Sequence, residues 1–232
     1  MKKLLCVLLT LAMLFSLVPA GFAEEIEIVD EPEEIGEIDI IEPAAEAEQP
    51  AAEADEEPGE IIASGECGEN LTWTLDENGL LKISGTGEMR WYGDGGPWLE
   101  YEEQVLSLVI EEGATSISMN SFLGCEHLKS AVIPGSVLLV DTKAFSDCTA
   151  LESLSFGEGV SAFGWESFAR CTSLNSLTLP DSLTDLGVGT FNGCSGLTEV
   201  RLGSGLTTIG NGVFFNCAAL EEITIPEGVA EI

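Results

Sequence analysis

The stretch that decides the fold is Val200-Arg-Leu-Gly-Ser-Gly-Leu-Thr-Thr-Ile-Gly-Asn-Gly-Val-Phe-Phe-Asn-Cys-Ala-Ala-Leu220, because its pattern recurs every 23 residues. In each copy a phenylalanine is followed three residues later by a cysteine and six residues later by a leucine. No insertion breaks the register. The repeated residues are Phe122, Phe145, Phe168, Phe191 and Phe214, then Cys125, Cys148, Cys171, Cys194 and Cys217, then Leu128, Leu151, Leu174, Leu197 and Leu220. Such self-similarity indicates a stack of equivalent coils.

Each of these leucines opens a second pattern, L-x-x-Φ-x-Φ, in which Φ is an apolar residue. Leu174 to Leu179 and Leu220 to Ile225 are two examples. A period of about 20 to 29 residues with this pattern is the signature of leucine-rich repeats. For residues 105–232 we therefore predict a leucine-rich repeat solenoid, β-rich α/β in class. Its parallel sheet would form the concave side and short helical or 3₁₀ turns the convex side.

Alternate strand residues share a face, so the pattern separates buried from outward side chains. The predicted strand centres, from Leu108 to Ile223, point into the core. The residues beside them form two outward columns. These are Ser107, Ser130, Ser153, Ser176, Glu199 and Glu222, and Val109, Val132, Ser155, Thr178, Arg201 and Thr224. We expect a partner to bind on the last four of these six predicted strands, at Ser153, Ser155, Ser176, Thr178, Glu199, Arg201, Glu222 and Thr224.

The copies resemble bacterial leucine-rich repeats of the BspA-like, or Treponema pallidum, type, whose pattern is L-x-x-I-x-I-P-x-x-V-x-x-I-G-x-x-A-F-x-x-C-x-x-L. The alanine before phenylalanine is kept only at Ala144; Ser121, Ser167, Thr190 and Val213 replace it elsewhere. The resemblance implies a secreted or surface-displayed bacterial protein, some of whose relatives are adhesins. It implies no shared catalytic residues.

The N-terminal part has the features of an exported chain. Residues 1–23 contain Lys2 and Lys3, an apolar run and a Gly21-Phe22-Ala23 exit, which together predict a cleaved signal peptide. No later stretch is long and apolar enough to predict a transmembrane span. The net charge of -33 would repel nucleic acid, so we expect no such partner.

Residues 24–63 contain 17 acidic residues and no basic one. Because aromatic residues are absent and like charges repel, we predict an acidic disordered linker. Residues 64–104 follow as a predicted cap, in which Asn78-Gly79 joins two alternating runs into a β-hairpin.

The loop after the hairpin holds Trp91, Tyr92, Trp98 and Tyr101. Two interpretations are open at this stage. Either Trp91 and Trp98 plug the end of the first coil, or the four aromatic residues form a platform for a sugar or a peptide, with Trp91 and Tyr92 as its predicted binding residues.

Neither the cysteines nor His127 indicate chemistry. Cysteines 23 residues apart lack the C-x₂₋₄-C pairing of a zinc site, so we expect buried thiols that act as small hydrophobes. Cys67 lies outside this series. His127 occupies a variable turn position, which predicts exposure away from Cys125. We expect no catalytic residue, no metal site and no cofactor.

The pattern stops at Ile232, which we interpret as truncation of a longer repeat series. The sequence predicts a non-enzymatic, monomeric adhesion module that binds a protein or a glycan. An alternative is the targeting module of a larger secreted enzyme whose catalytic domain lies beyond residue 232. A third is a structural envelope component.

Overall fold

The computed structural model describes residues 59–232. The predicted signal peptide, residues 1–23, lies outside the described residues, as does most of the predicted linker, residues 24–63. Within the described part, thirteen strands and one 3₁₀ helix are arranged as a three-stranded cap followed by stacked coils.

The cap is an antiparallel meander of β1 (Ile61–Glu66), β2 (Gly68–Asp76) and β3 (Leu80–Met89). Strand β1 begins inside the range that we expected to be linker. Asp76 shapes the turn between β2 and β3, because its Oδ1 accepts hydrogen bonds from the backbone N–H groups of Asn78 and Leu80 at 3.0 and 2.9 Å. Gly79 completes this turn with a φ of 84°.

Strand β3 starts both sheets of the solenoid. Its first half pairs with β4 (Ser107–Ile110) and its second half pairs with β5 (Ala114–Ile117), both in parallel. Between the halves, Gly85 and Gly87 have φ values of 113° and 101°, which bend the strand at little steric cost.

The first sheet continues from β4 through β6 (Ser130–Ile133) to β8 (Ser153–Phe156). Beyond β8 it is interrupted, and β10 (Ser176–Thr178) pairs only with β12 (Glu199–Arg201). The second sheet has no interruption. It runs from β5 through four short strands: β7 (Leu139–Val140), β9 (Ala162–Phe163), β11 (Asp185–Leu186) and β13 (Thr208–Ile209).

The expected sixth strand of the first sheet is absent. Residues 222–224 have no strand assignment, and Glu222 and Thr224 are exposed. Within the described chain no backbone hydrogen bond joins residues 222–226 to β12.

The core follows the predicted columns. The five repeated phenylalanines stack along the solenoid with ring centroids 4.9 to 5.7 Å apart and interplanar angles of 4 to 12°. The four of them from Phe122 to Phe191 are fully buried. Offset stacking at this distance is favourable for aromatic rings. The predicted solenoid with a shared dry interior is confirmed.

The cysteine column is also buried, as predicted, and the six described cysteines are free. Four thiols donate a hydrogen bond to the carbonyl oxygen of the preceding coil's phenylalanine; Cys148 Sγ, for example, lies 3.2 Å from the oxygen of Phe122. Burial raises the pKa of the Cys67 and Cys125 thiols to about 12. Because the thiolate is the reactive form, these cysteines are poor nucleophiles.

The third side of each coil is a run of consecutive turns, which we call the turn ladder (residues 118–128 and their equivalents 23, 46, 69 and 92 positions later). Hydrogen bonds of the i to i+3 type are present, as from Leu123 N–H to the Asn120 oxygen at 3.0 Å. A continuous helix is not formed, because each coil contains two residues with a positive φ, four positions apart. Lys143 (54°) and Asp147 (65°) are one such pair. Backbone N–H groups of this segment instead donate hydrogen bonds to the next coil, as the N–H of Phe122 does to the Ala144 oxygen at 2.8 Å. The short 3₁₀ turns expected on this side are present as separate i to i+3 turns, and hydrogen bonds between coils join them into a ladder.

Candidate binding surface

The outward side chains of the first sheet, of the separate pair β10 and β12, and of residues 222–224 that follow them form a surface that we call the outer face. Strand register places Ser107 beside Ser130 and Ser153, and Ser176 beside Glu199. The second predicted column aligns in the same way. It runs through Val109, Val132 and Ser155 and resumes with Thr178 and Arg201, and the structure adds Lys82 of β3 beside Val109.

Eight of the ten residues predicted to bind a partner belong to this outer face, but the interruption of the sheet divides them. Ser153 and Ser155 lie on β8, whereas Ser176 and Thr178 lie on β10. The coil at the interruption contains Phe156 in addition to Phe163 and Phe168, with ring centroids 5.0 and 5.8 Å from the latter two. Other coils have an aliphatic residue at the Phe156 and Phe163 positions. We infer that the extra ring volume keeps β8 apart from β10, which the Phe156→Leu variant discussed below tests.

The four remaining outer-face residues lie together. Glu199, Arg201, Glu222 and Thr224 line a cleft of about 570 Å³ between β12 and residues 222–226. The cleft also includes Thr198 and Ser204. Its wall combines these carboxylates, hydroxyls and one guanidinium with the apolar residues Val200, Leu202, Ile223 and Pro226.

Arg201 takes part in none of the ion pairs of the described residues, so its guanidinium group is available to bind a partner. The ion pairs among the described residues are Lys82–Glu111, Lys143–Glu166 and Arg170–Asp147. Hydrogen bonding to Lys82 lowers the pKa of Glu111, and hydrogen bonding to Arg170 lowers that of Asp147. Arg201 has no ion-pair partner within residues 59–232 and is exposed between two carboxylates of the cleft.

Trp91 and Tyr92 are not on the outer face. Their loop is joined to the start of the turn ladder, because Ser118 Oγ donates to the Arg90 oxygen and Asn120 Nδ2 donates to the Gly93 oxygen, both at 3.1 Å. Trp91 is 63% exposed and Tyr92 is 40% exposed. The ten predicted residues thus belong to two separate surfaces.

Trp98 and Trp91 have different roles. Trp98 is fully buried, stacks on Phe122 at 4.8 Å and donates its Nε1–H to the Ser121 oxygen at 3.1 Å. It extends the phenylalanine column into the cap. The interpretation as a plug is therefore correct for Trp98 and wrong for Trp91.

Sequence reasoning missed Trp165, which is 65% exposed on the turn ladder. The repeat pattern drew attention to residues that recur, and position 165 is occupied in other copies by Met119, Thr142, Val188 and Asn211. The signal that could have identified Trp165 was the presence of a large aromatic residue at a position that varies among the copies.

The predicted lack of convergence between Cys125 and His127 agrees with their placement. Cys125 is buried and His127 is exposed, so their side chains lie on opposite sides of the turn. Among residues 59–232 no three His, Cys, Asp or Glu side chains form a group suited to a metal ion.

Known protein families identify the repeats. A family model described as the BspA type leucine rich repeat region matches residues 115–232 in six copies, which is 118 of the 232 residues. The chain belongs to the BspA-type leucine-rich repeat family. No curated protein matched this BspA-type chain.

Solved structures of bacterial leucine-rich repeat proteins share the fold. A Bacteroides ovatus protein is 23% identical with a TM-score of 0.53, covering 69% of this chain and 47% of that one. A leucine rich cell surface protein from Faecalibacterium prausnitzii is 23% identical with a TM-score of 0.50, covering 77% and 51%. A Treponema pallidum leucine-rich repeat protein is also 23% identical, covering 72% and 86% with a TM-score of 0.45.

The BspA-type chain spans about half the length of the first two of these structures. Within residues 59–232 it contains no helix with the length and apolar character needed to cross a bilayer.

Proposed function

We propose that this BspA-type protein is an exported, non-enzymatic adhesion module that binds a protein or a glycan through the outer face. The observation that supports this most is the strand register, which aligns outward side chains of successive coils and ends in the cleft around Arg201. Solenoids present long, shallow surfaces of this kind to extended partners. Export is supported by the signal-like sequence of residues 1–23, and a similar solved structure is described as a cell surface protein.

The side chains of the outer face suit recognition by hydrogen bonds. Its middle part carries small hydroxyl residues, such as Ser153 and Ser176, which allow the partner's backbone or hydroxyl groups to approach closely. Arg201 adds a fixed cation with five N–H donors, while Glu199 and Glu222 add acceptors. We therefore expect the strongest contacts at the cleft.

The proposal is tested by reversing the cleft charges. The variant Glu199→Lys/Arg201→Glu/Glu222→Lys changes the net charge by +2, and Asp185→Lys on β11 of the second sheet is a control with the same change. Binding to matrix proteins and mucin glycans is measured by surface plasmon resonance. We expect the triple variant to lose at least tenfold in affinity, equivalent to about 1.4 kcal/mol, and the control to bind normally. Equal binding by wild type and triple variant would refute the proposal.

The alternative is that the repeats target a larger secreted enzyme. This chain spans about half the length of the first two similar structures, which are themselves described as leucine-rich proteins. Determining the reading frame downstream of residue 232 decides between the two. A catalytic domain there supports the alternative, and further repeats with a surface anchor support the adhesion module.

A further inference from the structure

One column of the turn ladder carries exposed apolar side chains. Its members are Met119, Thr142, Trp165, Val188 and Asn211. They lie in adjacent coils, because the N–H of the residue after each donates to the carbonyl oxygen of the next member, as from Lys143 to Trp165 at 2.9 Å and from Glu166 to Val188 at 3.0 Å. Trp165, Val188 and Met119 are 65%, 47% and 38% exposed. Because neighbouring coils are about 4.8 Å apart and Trp165 lies two coils after Met119, the two side chains start from nearby points of the column.

Trp91 lies at the N-terminal end of this column. The bonds from Ser118 and Asn120 to the loop of Trp91 fix it beside Met119. We call Trp91, Met119, Trp165 and Val188 the aromatic ridge. It holds two of the four tryptophans of the chain, whereas Trp73 and Trp98 are in the core.

Exposed indole rings on a rigid backbone require an explanation. Tryptophan is highly buried on average, and its exposure leaves a large apolar ring in water. The backbone below Trp165 is held by hydrogen bonds to both neighbouring coils, so this ring is presented by a pre-ordered support. Trp91 Nε1 donates to the Gly93 oxygen at 3.1 Å, which satisfies its polar end within its own loop. Both rings therefore have an aromatic face free for a ligand.

The charges around the ridge indicate an uncharged ligand. Lys143 Nζ and Glu166 Oε2 are 3.4 Å apart and neutralise each other beside Trp165. Asp141 Oδ1 accepts the N–H of Thr142 at 2.6 Å. The net charge of -33 disfavours an anionic ligand, and the ridge itself has no row of carboxylates to attract a polycation. Its polar neighbours are instead the hydroxyl of Thr142 and the side-chain amides of Asn120 and Asn211.

We propose that the aromatic ridge binds an uncharged polysaccharide. The indole faces of Trp91 and Trp165 would stack on the apolar C–H faces of the sugar rings. The hydroxyl and amide groups beside them would exchange hydrogen bonds with sugar hydroxyls. This surface is separate from the outer face, so the inference does not depend on the function proposed above.

The test uses the full chain and a glycan array of neutral glycans, with soluble xyloglucan and galactomannan as solution probes. Affinity electrophoresis and tryptophan fluorescence report binding, because two of the four tryptophans are exposed and would shift to shorter emission wavelength when covered. We expect Trp165→Ala to weaken binding about tenfold and Trp91→Ala several-fold. Trp165→Phe, which keeps an aromatic face, should restore part of the affinity.

The matched control is Phe215→Ala, because Phe215 is an aromatic residue 63% exposed but outside the ridge. It should bind like the wild type. The outer-face triple variant should also retain polysaccharide binding, which separates this inference from the proposed function. Failure of wild type to bind any neutral glycan, equal losses for Trp165→Ala and Phe215→Ala, or Trp165-dependent binding of polylysine alone would each overturn the proposal.

Discussion

The two parallel sheets are formed by the same coils, yet the second sheet is continuous and the first is interrupted. Each contains one phenylalanine where other coils have an aliphatic residue, Phe163 in the second sheet and Phe156 in the first. Phe163 is fully buried without loss of strand pairing, whereas the sheet separates next to the half-buried Phe156. From this comparison we infer that extra core volume is accommodated on the first sheet.

The second sheet is held by close contacts between backbones. At Gly164, Gly187 and Gly210, an added Cβ would lie only 2.5 to 2.7 Å from backbone atoms of the preceding coil. The turn ladder beside it adds hydrogen bonds from coil to coil. The first sheet has longer strands, and close backbone contacts also occur beside it: an added Cβ at Gly157 or Gly203 would lie 2.3 or 2.1 Å from the preceding coil. What distinguishes the first sheet is the missing pairing between β8 and β10, and it is also the proposed binding surface.

The largest effect is expected from Phe168→Ala, which removes a fully buried ring that packs against the phenylalanines of both sheets. The variant should lose about 3 to 5 kcal/mol of unfolding free energy, measured by urea denaturation. Phe215→Ala, at an exposed ring, should change stability by less than about 0.5 kcal/mol. A loss much below 1 kcal/mol at Phe168 would mean that the column does not hold the two sheets together.

An intermediate effect is expected from Gly187→Ala, which directly tests the close glycine contacts beside the second sheet. The new methyl group would meet the Phe163 oxygen at 2.7 Å and the Gly164 carbonyl carbon at 2.8 Å, so the coils must move apart. We expect a loss of about 2 kcal/mol in the same urea experiment. Ser195→Ala, at an exposed turn, is the control. A neutral Gly187→Ala variant would contradict the idea that glycine contacts hold the second sheet.

The smallest effect is expected from Phe156→Leu, which should restore strand pairing between β8 and β10 in the first sheet. The smaller side chain should let β10 approach β8, with a change in stability of less than about 1.5 kcal/mol. The readout is amide hydrogen exchange of residues 175–178, which should slow, while residues 185–186 of the second sheet should exchange as before. Unchanged exchange at residues 175–178 would show that Phe156 is not the cause of the interruption.

The repeat period predicted much of this architecture, because each recurring residue meets its own equivalent in the next coil. The phenylalanine column, the buried thiols and the order of outward residues on the first sheet all follow from that rule. Residues that do not recur were harder to place. Trp91 and Trp98 look alike in sequence, but Trp98 continues a buried column while Trp91 is held outside it.

The linear pattern alone was sufficient to establish the coil, its buried columns and its family, since a 23-residue register leaves one way to stack equivalent apolar positions. Three-dimensional packing was needed to decide where the first sheet opens and which two tryptophans face the solvent. It also decided that the turns on the third side of each coil hydrogen-bond to the neighbouring coils. These outcomes depend on ring volume, close backbone approach and φ values at single positions, which act between coils and leave no periodic trace along the chain.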